Sequence, residues 1–257
     1  MKLVILAGGH GTRLGAHTQA IPKPMVNVGG KPIIWHIMKS YAHYGVKDFV
    51  ICLGYKGHVI KEYFANYNIY NNDFTLNLKD HSIEYHNNHD EHDWNVTLVD
   101  TGLITSKGGR LKRVEKYLDD ELNLLTYGDG LSDINITELL AFHQRLNKTV
   151  TISGVHPPAR FGELVAQGDV LSSFEEKSQT SQGMINGGFM VFHKRLLGML
   201  TEDEDCDLEF GNFEKLAKQG DIAVYKHEGQ WACMDHDRDL KHLETLWRQN
   251  RAFWKVW

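Results

Sequence analysis

The sequence predicts an α/β fold in which a doubly wound, mostly parallel sheet forms a single domain of 257 residues. Apolar runs at residues 3–7, 48–53 and 122–126 alternate with amphipathic segments, which is the pattern of right-handed strand–helix–strand units. The first run has no charge, as expected for a strand that helices cover on both faces. A glycine-rich segment follows it, and open α/β sheets bind ligands at the carboxyl ends of their strands.

The first half of the chain contains the further elements of this parallel unit. Pro32 suits the first turn of a helix, which is predicted to end at Gly45. Asn135 is a typical N-cap and begins a later helix. The remaining predicted elements are a helix at residues 58–67, a strand at 96–99, and a glycine-containing turn within 105–114 that runs into a basic helix reaching about residue 118.

Residues 68–95 interrupt the alternation with a polar stretch rich in Asn, Asp and His, which predicts loops and short antiparallel strands. His86, His89 and His92 recur there at intervals of three, so a zinc site is one alternative. Because the stretch has no cysteine and histidine spacing alone is a poor indicator of metal binding, a solvated loop is favoured.

The second half begins with a strand at residues 149–154. A Gly-Asp pair at 168–169 indicates a hairpin turn. Two glycines at 187–188, inside a strand predicted at 184–192, indicate a bulge or the close approach of another group. The Trp-rich end at 253–257 is expected to pack onto this domain or a neighbouring subunit. The other predicted elements are a helix at 208–219, a strand at 221–225 and a helix beginning near Asp237.

Composition excludes several classes of function. The formal net charge is −5, which argues against nucleic acid or an anionic membrane as the main partner. The three cysteines Cys52, Cys206 and Cys233 have no framework spacing and suggest a reducing cytoplasm. No apolar run approaches the roughly 20 residues of a membrane helix, and no targeting segment is expected before the first strand.

The loop after the first strand has the composition of a polyphosphate site. Gly8, Gly9 and Gly11 allow sharp turns and present backbone N–H groups, while Arg13 and Lys23 add two cations. A dinucleotide fingerprint is excluded because a leucine stands where its third glycine belongs, and a P-loop is excluded because the nearby Gly-Lys pair at 30–31 is followed by proline.

Two acidic positions are candidate metal ligands. Asp129 directly follows a buried strand and lies between two glycines, so it is expected at the ligand-binding edge, with an Asx turn as the alternative. The cluster of acids at 235–239 suits either a second ligand or a helix N-terminus. Asn186 offers both a donor and an acceptor, which suits a hexose hydroxyl.

The block Gly-Gly-x-Gly-Thr-Arg-Leu, followed by Pro-Lys-Pro-Met at 22–25, resembles the signature of the sugar-1-phosphate nucleotidyltransferases. Segments at 31–38, 95–102 and 108–113 resemble the cytidylyl branch of that family. The resemblance implies a Rossmann-like nucleotidyltransferase fold with small antiparallel insertions for sugar binding. It also implies one domain over residues 1–257, with a nucleotide-binding half (1–148), a sugar-phosphate-binding part (149–240) and a C-terminal helix and tail (241–257).

The resemblance implies Mg²⁺-dependent transfer of a cytidylyl group from CTP to glucose 1-phosphate by a homo-oligomer, a trimer or a hexamer. It assigns catalysis to Arg13, Lys23, Asp129 and Asp235, the last two of which hold the metal. The implied nucleotide-binding residues are Leu6, Ala7, Gly8, Gly9, His10, Gly11, Thr12, Arg13, Lys23, Thr105, Arg110 and Gly128. The implied sugar-phosphate-binding residues are Gly162, Glu176, Lys177, Asn186 and Gly187.

Two alternatives remain open at this stage. The same chemistry could use another sugar 1-phosphate, or UTP or dTTP, because Ala16, His17, Asn27, Ser178 and His236 depart from the family pattern. A catalytically silent module that binds a sugar nucleotide and regulates a partner is the second alternative, since fold alone does not fix function.

Overall fold

The computed structural model describes residues 1–157 and 183–257, together with the strands at 163–167 and 170–175 between them. The strands in these ranges are β1 (Lys2–Leu6), β2 (Asn27–Val28), β3 (Lys31–Pro32), β4 (Asp48–Leu53), β5 (Phe74–Leu76), β6 (Ile83–Tyr85), β7 (Asn95–Asp100), β8 (Leu122–Tyr127), β9 (Gly130–Ser132), β10 (Val150–Val155), β11 (Glu163–Gln167), β12 (Val170–Glu175), β13 (Ile185–His193), β14 (Ile222–His227) and β15 (Trp231–Cys233). Seven of them form the sheet at the centre of the molecule, in the order β14-β10-β13-β8-β1-β4-β7.

Helices pack on both faces of the sheet, which confirms the predicted doubly wound α/β fold. They are α1 (His17–Ala20), α2 (Ile33–His43), α3 (Gly57–Ala65), α4 (Tyr67–Asn71), α5 (Lys107–Arg113), α6 (Ile136–Leu146), α7 (Glu214–Lys218) and α8 (Asp237–Arg248). Short 3₁₀ turns occur at Thr12–Leu14, Lys23–Met25, Glu115–Tyr117 and Lys194–Met199. In the described part of the chain, none of the helices has the length and apolar character needed to cross a membrane.

Strand β1 shows how the sequence builds a two-sided core. Its side chains alternate between the faces of the sheet, so Leu3 and Ile5 join one apolar cluster while Val4 joins the other. The first cluster contains α2, α6, α8 and the C-terminal tail, and the second contains α5 and α7. The part of β1 from Leu3 to Ile5, which is buried on both faces, therefore carries no charge.

Strand β13 runs antiparallel to both its neighbours, β10 and β8, whereas the other pairings that the structure describes within the seven-stranded sheet are parallel. The register between β10 and β13 shifts between Ile152 and Gly154. The bulge expected as one alternative at residues 187–188 is therefore present.

Several predicted helices are shorter than expected. The helix predicted at 58–67 ends at Ala65 and is followed by α4. The helix predicted at 208–219 is broken, because Phe210 and Gly211 have non-helical backbone angles and Gly211 has a φ of 86°. The helix predicted to reach residue 118 ends as an α-helix at Arg113 and continues as a 3₁₀ turn.

The polar excursion contains the short antiparallel hairpin β5–β6, as predicted. The three histidines spaced at intervals of three contact different partners: His86 Nε2 lies 2.8 Å from Thr75 Oγ1, and His89 Nε2 lies 2.8 Å from Asn68 Oδ1. His92 Nδ1 lies 3.2 Å from the His89 carbonyl oxygen. Among the residues that the structure describes, no three His, Cys, Asp or Glu side chains form a group that could hold a metal ion.

The aromatic C-terminus packs onto this domain. Trp254 is fully buried, and its Nε1 donates to Nδ1 of His36 on α2 at 3.3 Å. Trp247 and Trp257 also lie against the His36 ring. The first of the two alternatives for this tail is therefore confirmed.

Candidate active site

A cavity of about 850 Å³ opens at the carboxyl ends of β1 and β8. This is the edge at which parallel α/β sheets bind ligands. The cavity is lined by the glycine loop after β1 and by the segments before α5 and after β8. Side chains from β13 and β15, together with Asp207, complete the lining. The chain thus brings together residues more than 200 positions apart.

The glycine loop is shaped by close contacts that a side chain would prevent. A Cβ atom at Gly8 would lie 2.1 Å from the Arg110 guanidinium. Gly11 has a φ of 62°, and a Cβ there would lie 2.9 Å from the Cβ of Lys23. Glycine adopts the backbone conformation of residue 11 at low cost, and glycine at positions 8 and 11 leaves room for Arg110 and Lys23. The loop therefore needs glycine for packing as well as for its turn.

Arg110 lies in the cavity wall, but its guanidinium already has several protein partners. Nη1 donates to the carbonyl oxygens of Leu53 and Gly102, at 3.0 and 2.7 Å, and Nη2 donates to that of Gly8 at 3.3 Å. Burial lowers the pKa of Arg110, yet arginine remains charged. Arg110 thus ties the glycine loop to β4 and to the segment that follows β7.

Thr105, which the resemblance also assigns to nucleotide binding, is likewise buried in the cavity wall. Its hydroxyl accepts a hydrogen bond from Arg113 Nη1 at 2.8 Å. That hydroxyl can still donate its own proton, so Thr105 is available to a ligand as a donor.

Lys23 lies between the two predicted metal ligands. Its Nζ donates to Asp129 Oδ2 at 2.5 Å and to Asp235 Oδ1 at 2.6 Å. Arg13 Nη1 donates to the other oxygen of Asp235 at 2.8 Å. The four residues predicted to be catalytic therefore form one contiguous cluster of charges.

Short local elements bring the two aspartates together. Asp129 lies just beyond β8, and the antiparallel pairing of β9 with β15 holds the segment 231–233 beside it. The Met234 N–H donates to the Asp129 carbonyl oxygen at 3.0 Å. Asp239, in the first turn of α8, accepts the Asp235 N–H at 3.0 Å. The pairing and the helix start thus fix the position of Asp235.

The charges of the cluster reinforce one another. Burial works against the ammonium of Lys23, but its hydrogen bonds and attraction to Asp129 and Asp235 raise its pKa. Burial likewise works against the Asp235 carboxylate, but Lys23 and Arg13 hold its pKa below the usual value. Both groups are therefore charged at neutral pH.

The donor set around Lys23 fits a hard divalent cation. Two carboxylates converge on one point, and such cations are typically held by one or two carboxylates with waters and substrate phosphates as the other ligands. Burial, together with Asp235 and Asp129, raises the pKa of the Cys233 thiol beside them to about 12. Cys233 therefore stays protonated, and the anionic groups that could bind a cation here are carboxylates.

Asn186 also lines the cavity. Its Nδ2 donates to the Tyr127 hydroxyl at 3.0 Å, and its Oδ1 accepts the Gly188 N–H at 2.9 Å. The Gly187 carbonyl oxygen accepts from Trp231 Nε1 at 2.8 Å. A Cβ at Gly188 would lie 2.7 Å from the Tyr127 ring, so a close approach is present as well as the bulge.

The structure brings most of the predicted site residues to this one cavity. Those in its lining are Leu6, Ala7, Gly8, Gly9, His10, Gly11, Thr12, Arg13, Lys23, Thr105, Arg110, Gly128, Asp129, Asn186 and Asp235. Gly187 faces Trp231, and Gly162, Glu176 and Lys177 lie outside the described residues. The sequence reasoning missed Tyr127, Lys107 and Asp207, which also line the cavity.

Comparison with known proteins agrees with the site. The family model described as nucleotidyl transferase matches residues 2–251. Glucose-1-phosphate cytidylyltransferase of Salmonella typhi is 48% identical over 258 residues, which span 100% of both chains. The probable glucose-1-phosphate cytidylyltransferase of Bacillus subtilis is 40% identical over 257 residues, again across 100% of both chains.

Solved structures show the same fold at much lower sequence identity. The crystal structure of HddC from Yersinia pseudotuberculosis aligns with a TM-score of 0.70 and 22% identity, covering 96% of this chain and 99% of that one. The glycine loop, the carboxylate pair and nearly full-length matches to both the family and its curated members lead to one assignment. This chain belongs to the nucleotidyl transferase family.

Proposed function

We propose that this protein transfers the cytidylyl group of CTP to α-D-glucose 1-phosphate, which yields CDP-glucose and pyrophosphate. The glucose-1-phosphate cytidylyltransferase of Salmonella typhi and the probable one of Bacillus subtilis match the chain from end to end, at 48% and 40% identity. The structural observation that carries the proposal is the convergence of Asp129 and Asp235 on Lys23 beside the glycine loop. That arrangement suits the transfer of a phosphate-linked group.

The reaction needs alignment and charge neutralisation rather than a protein nucleophile. A phosphate oxygen of the sugar 1-phosphate attacks the α-phosphorus of CTP, a new P–O bond forms, and the bond to the β-phosphate breaks so that pyrophosphate leaves. Arg13 and Lys23, together with the N–H groups of the glycine loop, are placed to bind the triphosphate and the departing pyrophosphate. Lys177 is proposed to hold the attacking phosphate.

We propose Mg²⁺ as the divalent cation and Asp129 and Asp235 as its protein ligands. When bound, it supplies neutralisation of charge on the phosphate oxygens. Lys23 contacts both aspartates, so it is placed to exchange these partners for a phosphate. The free thiols Cys52, Cys206 and Cys233 support the cytoplasm as the place of this reaction.

Pyrophosphate release tests the proposal directly. The purified protein is assayed with Mg²⁺, glucose 1-phosphate and each of CTP, UTP, dTTP, ATP and GTP in separate reactions. We expect release with CTP, lost by at least about a hundredfold in Asp129→Ala because one of two metal ligands is gone. Asp120→Ala is the matched control, since Asp120 is exposed and pairs with Lys194 away from the cavity.

The other outcomes separate the alternatives. Release with a different triphosphate, or only with another sugar 1-phosphate, replaces the proposed substrates but keeps the chemistry. If no combination releases pyrophosphate while calorimetry detects CTP binding, the protein is a binding module and the proposal is wrong.

A further inference from the structure

A side-chain network in the cavity wall joins Asn186, which is predicted to bind the sugar, to three residues with no role in the proposed reaction: Tyr127, Lys107 and Glu209. Tyr127, at the end of β8, donates its hydroxyl proton to Glu209 Oε1 and accepts from Asn186 Nδ2 at 3.0 Å. Lys107 Nζ lies 2.5 Å from the same Glu209 oxygen and 5.0 Å from the centre of the Tyr127 ring. Tyr127, Lys107 and Asn186 line the cavity, and Glu209 connects them.

The network leaves Asn186 with one orientation. Because the Tyr127 hydroxyl donates its proton to Glu209, it can only accept from Asn186, so the amide nitrogen must face it. At the other end, the Gly188 N–H at 2.9 Å requires the amide oxygen. A flipped amide would lose both hydrogen bonds. The positions of the amide nitrogen and oxygen of Asn186 are therefore determined by its two partners.

The Tyr127 ring is fixed by its packing as well. Gly188 has a φ of 81°, and a Cβ there would lie 2.7 Å from the ring, so the ring lies directly on the backbone. A tyrosine hydroxyl is protonated at neutral pH, so it has the proton that it donates to Glu209.

The turn that carries Glu209 is itself held in place. Asp207 Oδ1 accepts the N–H groups of Glu209 and Phe210, both at 2.8 Å. The chain then breaks its helical course at Gly211. An anionic acceptor is thus held by a rigid turn at the cavity wall, where the sequence alone indicated only a helix.

We propose that Glu209, acting through Tyr127, is a positioning residue that orients Asn186 to select the hydroxyl configuration of the sugar 1-phosphate. In this orientation Asn186 retains one N–H donor and one acceptor lone pair for a ligand. A hydroxyl on the wrong side of the sugar ring leaves both groups unpaired, and an unpaired buried polar group is costly. The inference rests on the proposed function and adds to it the residues that set sugar specificity.

Tyr127→Phe and Glu209→Ala test the inference. The first keeps the ring that packs on Gly188 and removes the hydroxyl, and the second lets that hydroxyl rotate and donate to Asn186 instead. We expect KM for glucose 1-phosphate to rise about tenfold, the equivalent of one hydrogen bond, with KM for CTP unchanged. The preference for glucose 1-phosphate over its galactose and mannose epimers should fall by a similar factor.

Two further variants distinguish positioning from general stability. Glu209→Gln keeps an oxygen that can accept from Tyr127, so it should restore most of the sugar selectivity. Glu115→Ala removes a glutamate that pairs with Lys112 at 2.7 Å in the 3₁₀ turn after α5 and does not line the cavity, and it should leave both KM values unchanged. A rise in KM for CTP that matches the rise for the sugar would mean a structural role and would overturn the inference.

The wild-type protein in the same assay separates the two proposals. If it releases pyrophosphate with CTP and glucose 1-phosphate, but Tyr127→Phe and Glu209→Ala keep wild-type epimer preference, the positioning role alone is wrong. If the wild type is inactive with every pair of substrates, the proposed function fails and this inference fails with it.

Discussion

Acidification should destabilise the fold through His36, a buried histidine of α2 beneath the C-terminal tail. Its ring is fully buried, with Nε2 2.7 Å from the Val28 carbonyl oxygen and Nδ1 accepting from Trp254 Nε1 at 3.3 Å. These partners require the tautomer that carries its proton on Nε2. A second proton must enter at Nδ1, where it would meet the Trp254 N–H and break the link between the tail and the domain.

The size of the effect follows from the pKa. Burial lowers the pKa of His36 from 6.5 to about 4, although its hydrogen bond to Val28 acts in the opposite direction. The unfolded chain therefore binds more protons between these pH values, so the stabilisation is complete above pH 6.5 and is lost on acidification toward about pH 4. At ~1.4 kcal/mol per pH unit, the loss is about 2 kcal/mol at pH ~5 and about 3 kcal/mol at pH ~4.

Urea unfolding at about pH 7 and about pH 5 measures this loss. His36→Gln keeps a donor for the Val28 carbonyl oxygen but does not titrate. From about pH 7 to about pH 5, the free energy of unfolding of this variant should therefore fall by ~2 kcal/mol less than that of the wild type. His143, whose pKa burial also lowers to about 4, is present in both proteins and cancels. His242→Gln removes an exposed histidine of α8 and is the control. Equal losses in His36→Gln and in the wild type would refute the reasoning.

Three substitutions test other parts of the structure. Gly188→Ala, at a φ of 81° and against the Tyr127 ring, should lower the free energy of unfolding by ~1–3 kcal/mol, whereas Gly198→Ala, with no neighbour within 4 Å, should change it by less than ~0.5 kcal/mol. Asn135→Ala removes a side chain that caps two N–H groups of α6 and should cost ~1 kcal/mol in urea unfolding. Arg110→Lys should lose the forked bonds to backbone carbonyls and destabilise the fold by ~1–3 kcal/mol; unchanged stability with a raised KM for CTP would instead mean that the guanidinium serves the ligand.

Buried parallel strands were predictable because their composition reflects both faces at once. The predicted bounds of β4 agree with the structure, those of β1 are shifted by one residue at both ends, and those of β8 differ by one residue at its carboxyl end. Asp129 was identified from its place after β8 between two glycines, a purely local signal. The glycine loop was identified in the same way, since only glycine tolerates its turns and contacts.

Long-range partners were not predictable from local pattern. Glu209 lies 82 residues from Tyr127, and its segment has the composition of an ordinary helix until Gly211 breaks it. The antiparallel direction of β13 was also not predictable from local pattern. An antiparallel neighbour needs no crossover helix, so the alternation of strands and helices along the sequence does not indicate the direction of this strand. Arg110 stays a predicted nucleotide contact, and its bonds to carbonyl oxygens from three segments had no local signal.

The charges around the cavity explain why phosphate binding should depend on a cation. In the part of the chain that the structure describes, its lining includes four cationic residues, Arg13, Lys23, Lys107 and Arg110. Four carboxylates oppose them, three in the lining and one paired with Lys107: Asp129, Asp207, Asp235 and Glu209. Among the residues that the structure describes, these charges balance, so a triphosphate meets no net positive charge there unless a cation accompanies it. Lys23 is paired with two aspartates, and a divalent ion bound by those carboxylates would free Lys23 and Arg13 for phosphate. Metal and triphosphate should accordingly bind with positive coupling, each raising the affinity for the other by the same factor.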